Sequence, residues 1–222
     1  MSISDNLRKV KENLPAGVKL VAVSKFHPKE AIQEAYNAGH RLFGESRMQE
    51  MDLKHSQLPS DIEWHFIGHL QTNKVKVIVP YIHTIHSIDS WKLLQEIEKH
   101  AADNQKRICC LLEIHIAQED AKYGLSFDDC REFLAKGQWR QLKHAYIGGV
   151  MGMATFTEDK DLIRKEFRSL KSFYDELKQN YFSEDKDFSE ISMGMSDDYE
   201  IAIEEGSTMI RVGSFIFGQR EY

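Results

Sequence analysis

Little in this chain breaks it into parts. It has 222 residues but only four prolines, and no Gly/Ser/Pro-rich tract marks a linker, so a single domain over residues 1–222 is expected. Cysteine is equally sparse. Cys109, Cys110 and Cys130 are odd in number, two are adjacent, and no CxxC spacing exists. That excludes a disulfide framework and a cysteine zinc site, and suits a reducing cytoplasm. No apolar run approaches the ~20 residues that cross a bilayer, so no membrane association is expected. The first residues, polar and mixed in charge, are unlike a signal peptide. A basic stripe is missing too: 35 acids face 29 scattered bases, for a net charge of −6. Nucleic acid is therefore not an expected ligand.

What the chain does have is alternation. With 41% hydrophobic residues, short apolar runs trade places with longer amphipathic stretches throughout. After a first helix near residues 2–14, strands are expected at 18–25, 41–45, 63–68, 82–88, 108–117, 145–151, 188–194 and 209–215. Helical patterns fall between them at Lys29–Ala38, Ser90–His100, Glu158–Tyr181 and Ser196–Glu205. In the last of these, Ser196 is the expected N-cap and Gly206 the stop. Eight strands alternating with helices call for a parallel sheet. At this length the α/β architecture is a (β/α)8 TIM barrel preceded by an N-terminal helix. An open doubly wound sheet would carry a Gly-rich loop after the first strand, and Ser24-Lys25-Phe26-His27-Pro28 contains no glycine.

The barrel gives the chemistry-bearing residues one location, because active sites gather at the C-terminal ends of the strands. Lys25 closes strand one. A desolvated lysine amine is a nucleophile toward carbonyls, although any single lysine on such a loop is more often just solvated. Strand seven runs into Gly194-Met195-Ser196, and strand eight into Arg211-Val212-Gly213-Ser214. In each loop a glycine permits close backbone approach and a hydroxyl follows, which suits an anion. Ser196 alone would be read as a helix cap. Together with Lys25, the loops describe a pocket for a phosphorylated carbonyl compound. Arg211 shares a face with Gly213, and in the lumen it would be a costly charge. This reading fits pyridoxal 5′-phosphate (PLP), and equally a Schiff-base aldolase acting on a sugar phosphate.

Several segments carry a resemblance that separates the two. They are Val21-Ala22-Val23-Ser24-Lys25; Phe43-Gly44-Glu45 with Gln49-Glu50; Trp64 to Gln71 with Asn73-Lys74; Lys122 with Gly124-Leu125; Ser192 to Ser196; and Arg211 to Ser214 with Ile216-Phe217-Gly218. In these the chain resembles the YggS/PROSC family of PLP homeostasis proteins, related to the N-terminal barrel of alanine racemase and to fold-type III PLP enzymes. The resemblance implies that Lys25 carries the cofactor as a Schiff base. It implies that the backbone of Met195 and Gly213 and the hydroxyls of Ser196 and Ser214 hold the phosphate, and that Arg211 faces the pyridine nitrogen. An arginine there keeps that nitrogen unprotonated and weakens the ring as an electron sink. The chain departs from the family at Ser46, where an asparagine contact to the cofactor is usual, and at Ser214, where a threonine is usual.

Other residues invite less. His83 and His86, three apart on a strand, are expected to point to opposite faces and to be poor joint metal ligands, so no metal site is expected. His65 and His69 read as structural, and His115 stands where the family usually has asparagine. Met151, Met153, Met193 and Met195 read as core and pocket lining. The expected function is therefore intracellular PLP homeostasis by a cofactor carrier, without catalytic residues, with apo forms of PLP enzymes as candidate recipients. The alternative is an amino-acid racemase. Racemisation needs an opposing base, which in alanine racemase comes from a second domain, and none is expected after Tyr222. Since a barrel has no open edge, a monomer is expected.

Overall fold

The computed structural model describes residues 2–119 and 123–219. Lys122, one of the residues behind the resemblance, lies outside the described residues. The eight strands are β1 (Lys19–Val23), β2 (Leu42–Glu45), β3 (Glu63–Phe66), β4 (Ile82–Ile88), β5 (Ile108–Glu113), β6 (Ala145–Met151), β7 (Glu190–Ser192) and β8 (Met209–Val212). All pair in parallel and in chain order, and β1 closes on β8 through Lys19↔Met209 to Ala22↔Val212. This is the expected eight-stranded α/β barrel. Its N-terminal helix is α1 (Ile3–Glu12), capped by the Ser2 hydroxyl, which accepts from the Asp5 N–H.

The remaining helices are α2 (Lys29–Asn37), α3 (Met48–His55), α4 (Val75–Ile78), α5 (Trp91–Asp103), α6 (Phe127–Ala135), α7 (Lys160–Tyr181), α8 (Tyr199–Glu204) and α9 (Ser214–Phe217). They bury one stripe each against the outside of the barrel. On α7 the stripe is Ile163, Phe167, Leu170, Phe173 and Leu177, at helical spacing. Each such side chain contributes about 1.5–3 kcal/mol on full burial. Strand alternation separates this outer core from the lumen. On β5, Cys110 and Leu112 join the outer core, while Cys109 and Leu111 pack inward with Met151.

The strands stop earlier than their apolar runs. The runs at 18–25, 188–194 and 209–215 yield strands ending at Val23, Ser192 and Val212. In each case the last residues leave the sheet to build the rim. Gly194 adopts φ +96°, and a Cβ there would stand 2.6 Å from that of Ala202, so only glycine makes this exit. The helix expected from Ser196 starts three residues later, at Tyr199, because residues 196–198 form a turn. Ser196 is therefore not its cap. Among the described residues no helix is long and apolar enough to cross a membrane, and all three cysteines are buried and free.

Candidate functional site

Lys25 lies half-buried in the turn between β1 and α2. The next residue, Phe26, has φ +68°, a strained conformation for a bulky side chain, and a buried ionic cluster holds it there. The Lys54 ammonium, on α3, donates to the Ser24 carbonyl at 2.9 Å, to Glu45 Oε1 at 2.7 Å and to Glu50 Oε1 at 2.6 Å. Ser24 Oγ donates to the same Glu45 oxygen at 2.6 Å, and the Phe26 N–H donates to Glu50 at 2.7 Å. Burial pushes the Glu45 carboxyl up to about 6 despite the adjacent Lys54. Two acids and one lysine thus clamp the backbone on both sides of Lys25. Glu45 and Glu50 stand within the motif segments, but nothing local marks them as supports. The one sequence signal was the Glu50/Lys54 pair, one helical turn apart.

Ser46 follows β2 directly. Its backbone packs against Gly68, where a Cβ would stand 2.4 Å from the Ser46 carbonyl oxygen. Gly68 thereby lets the loop after β3 press Ser46 toward the rim. On the other side of β1, the loops after β7 and β8 meet: the Gly213 N–H donates to Ser196 Oγ at 3.3 Å. Ser214 opens α9 on the exposed side; the Ile216 and Phe217 N–H groups donate to the Gly213 carbonyl at 2.9 Å, which leaves those of Ser214 and Phe215 as the open ones of this turn. The Asn6 side chain on α1 donates to the Ile216 carbonyl at 3.1 Å and so tethers α9. The Met195 N–H is already engaged, donating to Asp198 Oδ1 at 2.6 Å. Burial raises the pKa of Asp198, against the pull of that N–H and of Arg211.

Arg211 is buried in the lumen, with 4% of its surface exposed. Its guanidinium donates to the Ser192 carbonyl at 2.8 Å, the Ser192 hydroxyl at 2.6 Å and the Gly152 carbonyl at 3.2 Å. All three acceptors are neutral. Burial lowers its pKa to about 10, opposed by the fields of Asp198 and Glu113, so it remains a cation at neutral pH. Glu113, at the end of β5, is pushed up to about 7 by burial and by Asp89. Its Oε2 has no hydrogen-bond partner. Nothing in the neighbourhood of Glu113 along the chain announces a buried carboxyl.

A line of hydrogen bonds continues from Arg211 through the lumen. Ser192 Oγ lies 3.0 Å from His86 Nδ1, and His86 Nε2 lies 2.9 Å from His65 Nδ1. His83 also stacks on His65, ring centroids 5.6 Å apart. His83 and His86 therefore do not diverge as simple alternation predicts. The β3–β4 pairing jumps from Trp64↔Ile82 to His65↔Thr84, and β4 shifts again against β5, so bulges turn both rings toward His65. His69 sits elsewhere, 3.6 Å from Asp89 and stacked on Tyr123. Met151 and Met193 are core, whereas Met153 and Met195 are exposed.

The structure thus brings the turn carrying Lys25, the loop of Ser46 and the linked loops of Ser196 and Gly213–Ser214 to one end of the barrel, above Arg211. The family model for the alanine racemase N-terminal domain matches residues 1–221. A pyridoxal phosphate homeostasis protein of Aquifex aeolicus is 38% identical over 205 residues, 92% of this chain and 88% of the relative. The chain belongs to this family. The homeostasis protein of Pasteurella multocida is 35% identical over all of this chain and 99% of its own. The solved structure of PipY from Synechococcus elongatus with PLP bound is 36% identical and superposes with a TM-score of 0.88, covering 98% of this chain and all of PipY. An alanine racemase of Clostridium difficile shares the barrel at a TM-score of 0.75 and 15% identity, with 56% of its own chain covered. At that distance the likeness is one of fold.

Proposed function

We propose that this protein binds PLP at the C-terminal rim of the barrel and serves PLP homeostasis as a carrier rather than as an enzyme. The observation that carries this reading is Arg211, a buried guanidinium whose hydrogen bonds all go to neutral oxygens. The relatives called homeostasis proteins and the PLP-bound PipY support the choice of ligand.

The residues present fit such a ligand. Lys25, on its clamped turn, would hold the aldehyde carbon as a Schiff base. The Ser196 and Ser214 hydroxyls and the N–H groups of Ser214 and Phe215 would face the phosphate, and the Gly213 N–H would join them when it leaves Ser196 Oγ. Met195 contributes its N–H only when Asp198 releases it. Ser46 would make a short contact at the loop after β2. Arg211 would face the pyridine nitrogen and, as a donor that stays charged, would keep a proton off it. PLP supplies a carbonyl that links to amines and, when its nitrogen is protonated, a strong electron sink. Arg211 withholds the second property, which favours storage and transfer over carbanion chemistry. Apo forms of PLP enzymes are the proposed recipients. The closed strand order, with no sheet edge to pair, supports a monomer.

The test is spectroscopic and kinetic. Protein reconstituted with PLP should show visible Schiff-base absorption that Lys25→Ala abolishes. Incubated with L- and D-amino acids in deuterated water, it should exchange α-protons far below the ~1–1,000 per second of typical enzymes. Exchange or racemisation in that range, lost in Lys25→Ala, would make the racemase reading correct.

A further inference from the structure

The N-terminal mouth of the barrel, opposite Lys25, holds a second group of side chains that the rim does not use. Glu63 opens β3, His65 follows two residues later on the same strand, and His83 is the second residue of β4. One ligand atom from each lies within 4.8 Å of the others. They line a pocket of about 350 Å³, together with Thr84, Cys109 and Tyr146. Two of the acids at the mouth are already paired, Glu190 with Lys19 and Asp187 with Arg107, which leaves Glu63 as the acid that can serve a cation, with Lys186 also lining the pocket.

His65 supplies the observation that points to a ligand. It is 1% exposed, its Nδ1 is engaged by His86 at 2.9 Å, and its Nε2 is buried with no hydrogen-bond partner. A buried polar atom left unpaired destabilises the fold, and a bound cation would remove that cost. His83 is oriented to share it. Its Nδ1 lies 2.9 Å from Thr84 Oγ1, which leaves Nε2 on the side of Glu63, 3.8 Å from Oε2. The bulge that skips His83 in the β3–β4 pairing is what turns this ring onto His65.

We propose that Glu63, His65 and His83 form a binding site for a first-row divalent transition metal, Zn2+ being the natural occupant, at the N-terminal mouth of the barrel. Two imidazoles and one carboxylate suit zinc, cobalt or nickel and are a poor set for Mg2+ or Ca2+, which prefer oxygen throughout. Ligands held ~2.1 Å from a tetrahedral ion stand ~3.4 Å apart. The site must therefore close by about an ångström from its present spread. Glu63 and His83 can supply that movement, since their side chains are 45% and 53% exposed, while buried His65 stays fixed. Imidazole ligands commonly donate their second N–H to a neighbouring group that fixes the ring. Here His65 Nδ1–H would donate to His86 Nε2, and His86 Nδ1–H to Ser192 Oγ. Metal binding would thus select one of two tautomeric directions along the lumen.

The experiment uses untagged, full-length protein freed of PLP, titrated with Zn2+ by calorimetry. One equivalent should bind, and Glu63→Gln and His83→Ala should each weaken it roughly tenfold or more. Both positions are exposed enough for the fold to survive, which circular dichroism checks. Nitrogen-15 NMR of the histidines should show a metal-shifted Nε2 on His65 and a protonated Nδ1 on both His65 and His86. Absence of stoichiometric binding would overturn the proposal. So would binding of one equivalent that neither variant weakens, which would place the ion elsewhere. None of these outcomes depends on PLP, so the rim can fail its own test while this site stands, and the reverse.

Discussion

Replacing Ser196 and Ser214 together by alanine tests whether the loops after β7 and β8 hold a phosphate. For the fold the change is small. Ser196 Oγ accepts one N–H, from Gly213 at 3.3 Å, worth about 1 kcal/mol, and Ser214 is exposed. For a bound phosphate the change is larger, since each hydroxyl would donate to a charged oxygen and such a bond contributes about 1.5–3 kcal/mol. At ~1.4 kcal/mol per factor of ten, losing either weakens PLP about tenfold or more. The loops touch, so the two losses will not simply add, and the remaining backbone N–H groups keep binding from vanishing. The assay is an equilibrium titration followed by visible absorption, run with PLP and with pyridoxal, which has the ring and aldehyde but no phosphate. The double variant should lose about tenfold or more for PLP and stay level for pyridoxal. An equal loss for both ligands, or no loss for either, refutes the placement.

Lys54→Met should destabilise the protein by about 3–5 kcal/mol in urea unfolding, because it strands buried Glu45 without its cation; a loss under about 1 kcal/mol would show that the clamp is not needed. Glu113 keeps its proton up to about pH 7 when folded, against an ordinary value of 4.5. Its charged form is thus disfavoured in the fold, and its contribution to stability should fall as pH rises from 4.5 through 7, by at most about 3 kcal/mol. Buried His65 and His86 are held well below their ordinary 6.5 by desolvation, so they act in the other direction, and stability from them rises as pH rises toward 6.5. The difference between wild type and Glu113→Gln isolates the carboxyl: the variant's relative stability should climb across that window, and a flat difference would remove Glu113 from the balance. Gly68→Ala should displace the Ser46 loop and destabilise the fold, since its Cβ has only 2.4 Å to the Ser46 oxygen; unchanged thermal unfolding would contradict this.

The barrel and its rim were legible because their signals are local. Apolar runs of strand length mark the strands, the Ile163–Leu177 stripe marks α7, and Lys25, Ser196 and Ser214 each follow an apolar run. What stayed hidden depends on contacts between distant segments. Lys54 reaches back thirty residues to the Ser24 carbonyl, and no helical pattern says that an ammonium on α3 is buried. Ser196 reads locally as a cap, yet its hydroxyl serves the Gly213 N–H seventeen residues on. The Glu63–His65–His83 group exists only because bulges on β4 break the alternation by which His83 and His86 were set on opposite faces. Periodicity cannot see a bulge.

Covalent trapping tests the central claim most directly. Protein reconstituted with PLP, reduced with borohydride, digested and mapped by mass spectrometry should carry the pyridoxyl group on the peptide containing Lys25. The label should be absent from Lys25→Ala. Labelling centred on Lys74 or any other lysine, or a Lys25→Ala variant that traps PLP as well as wild type does, would contradict the account.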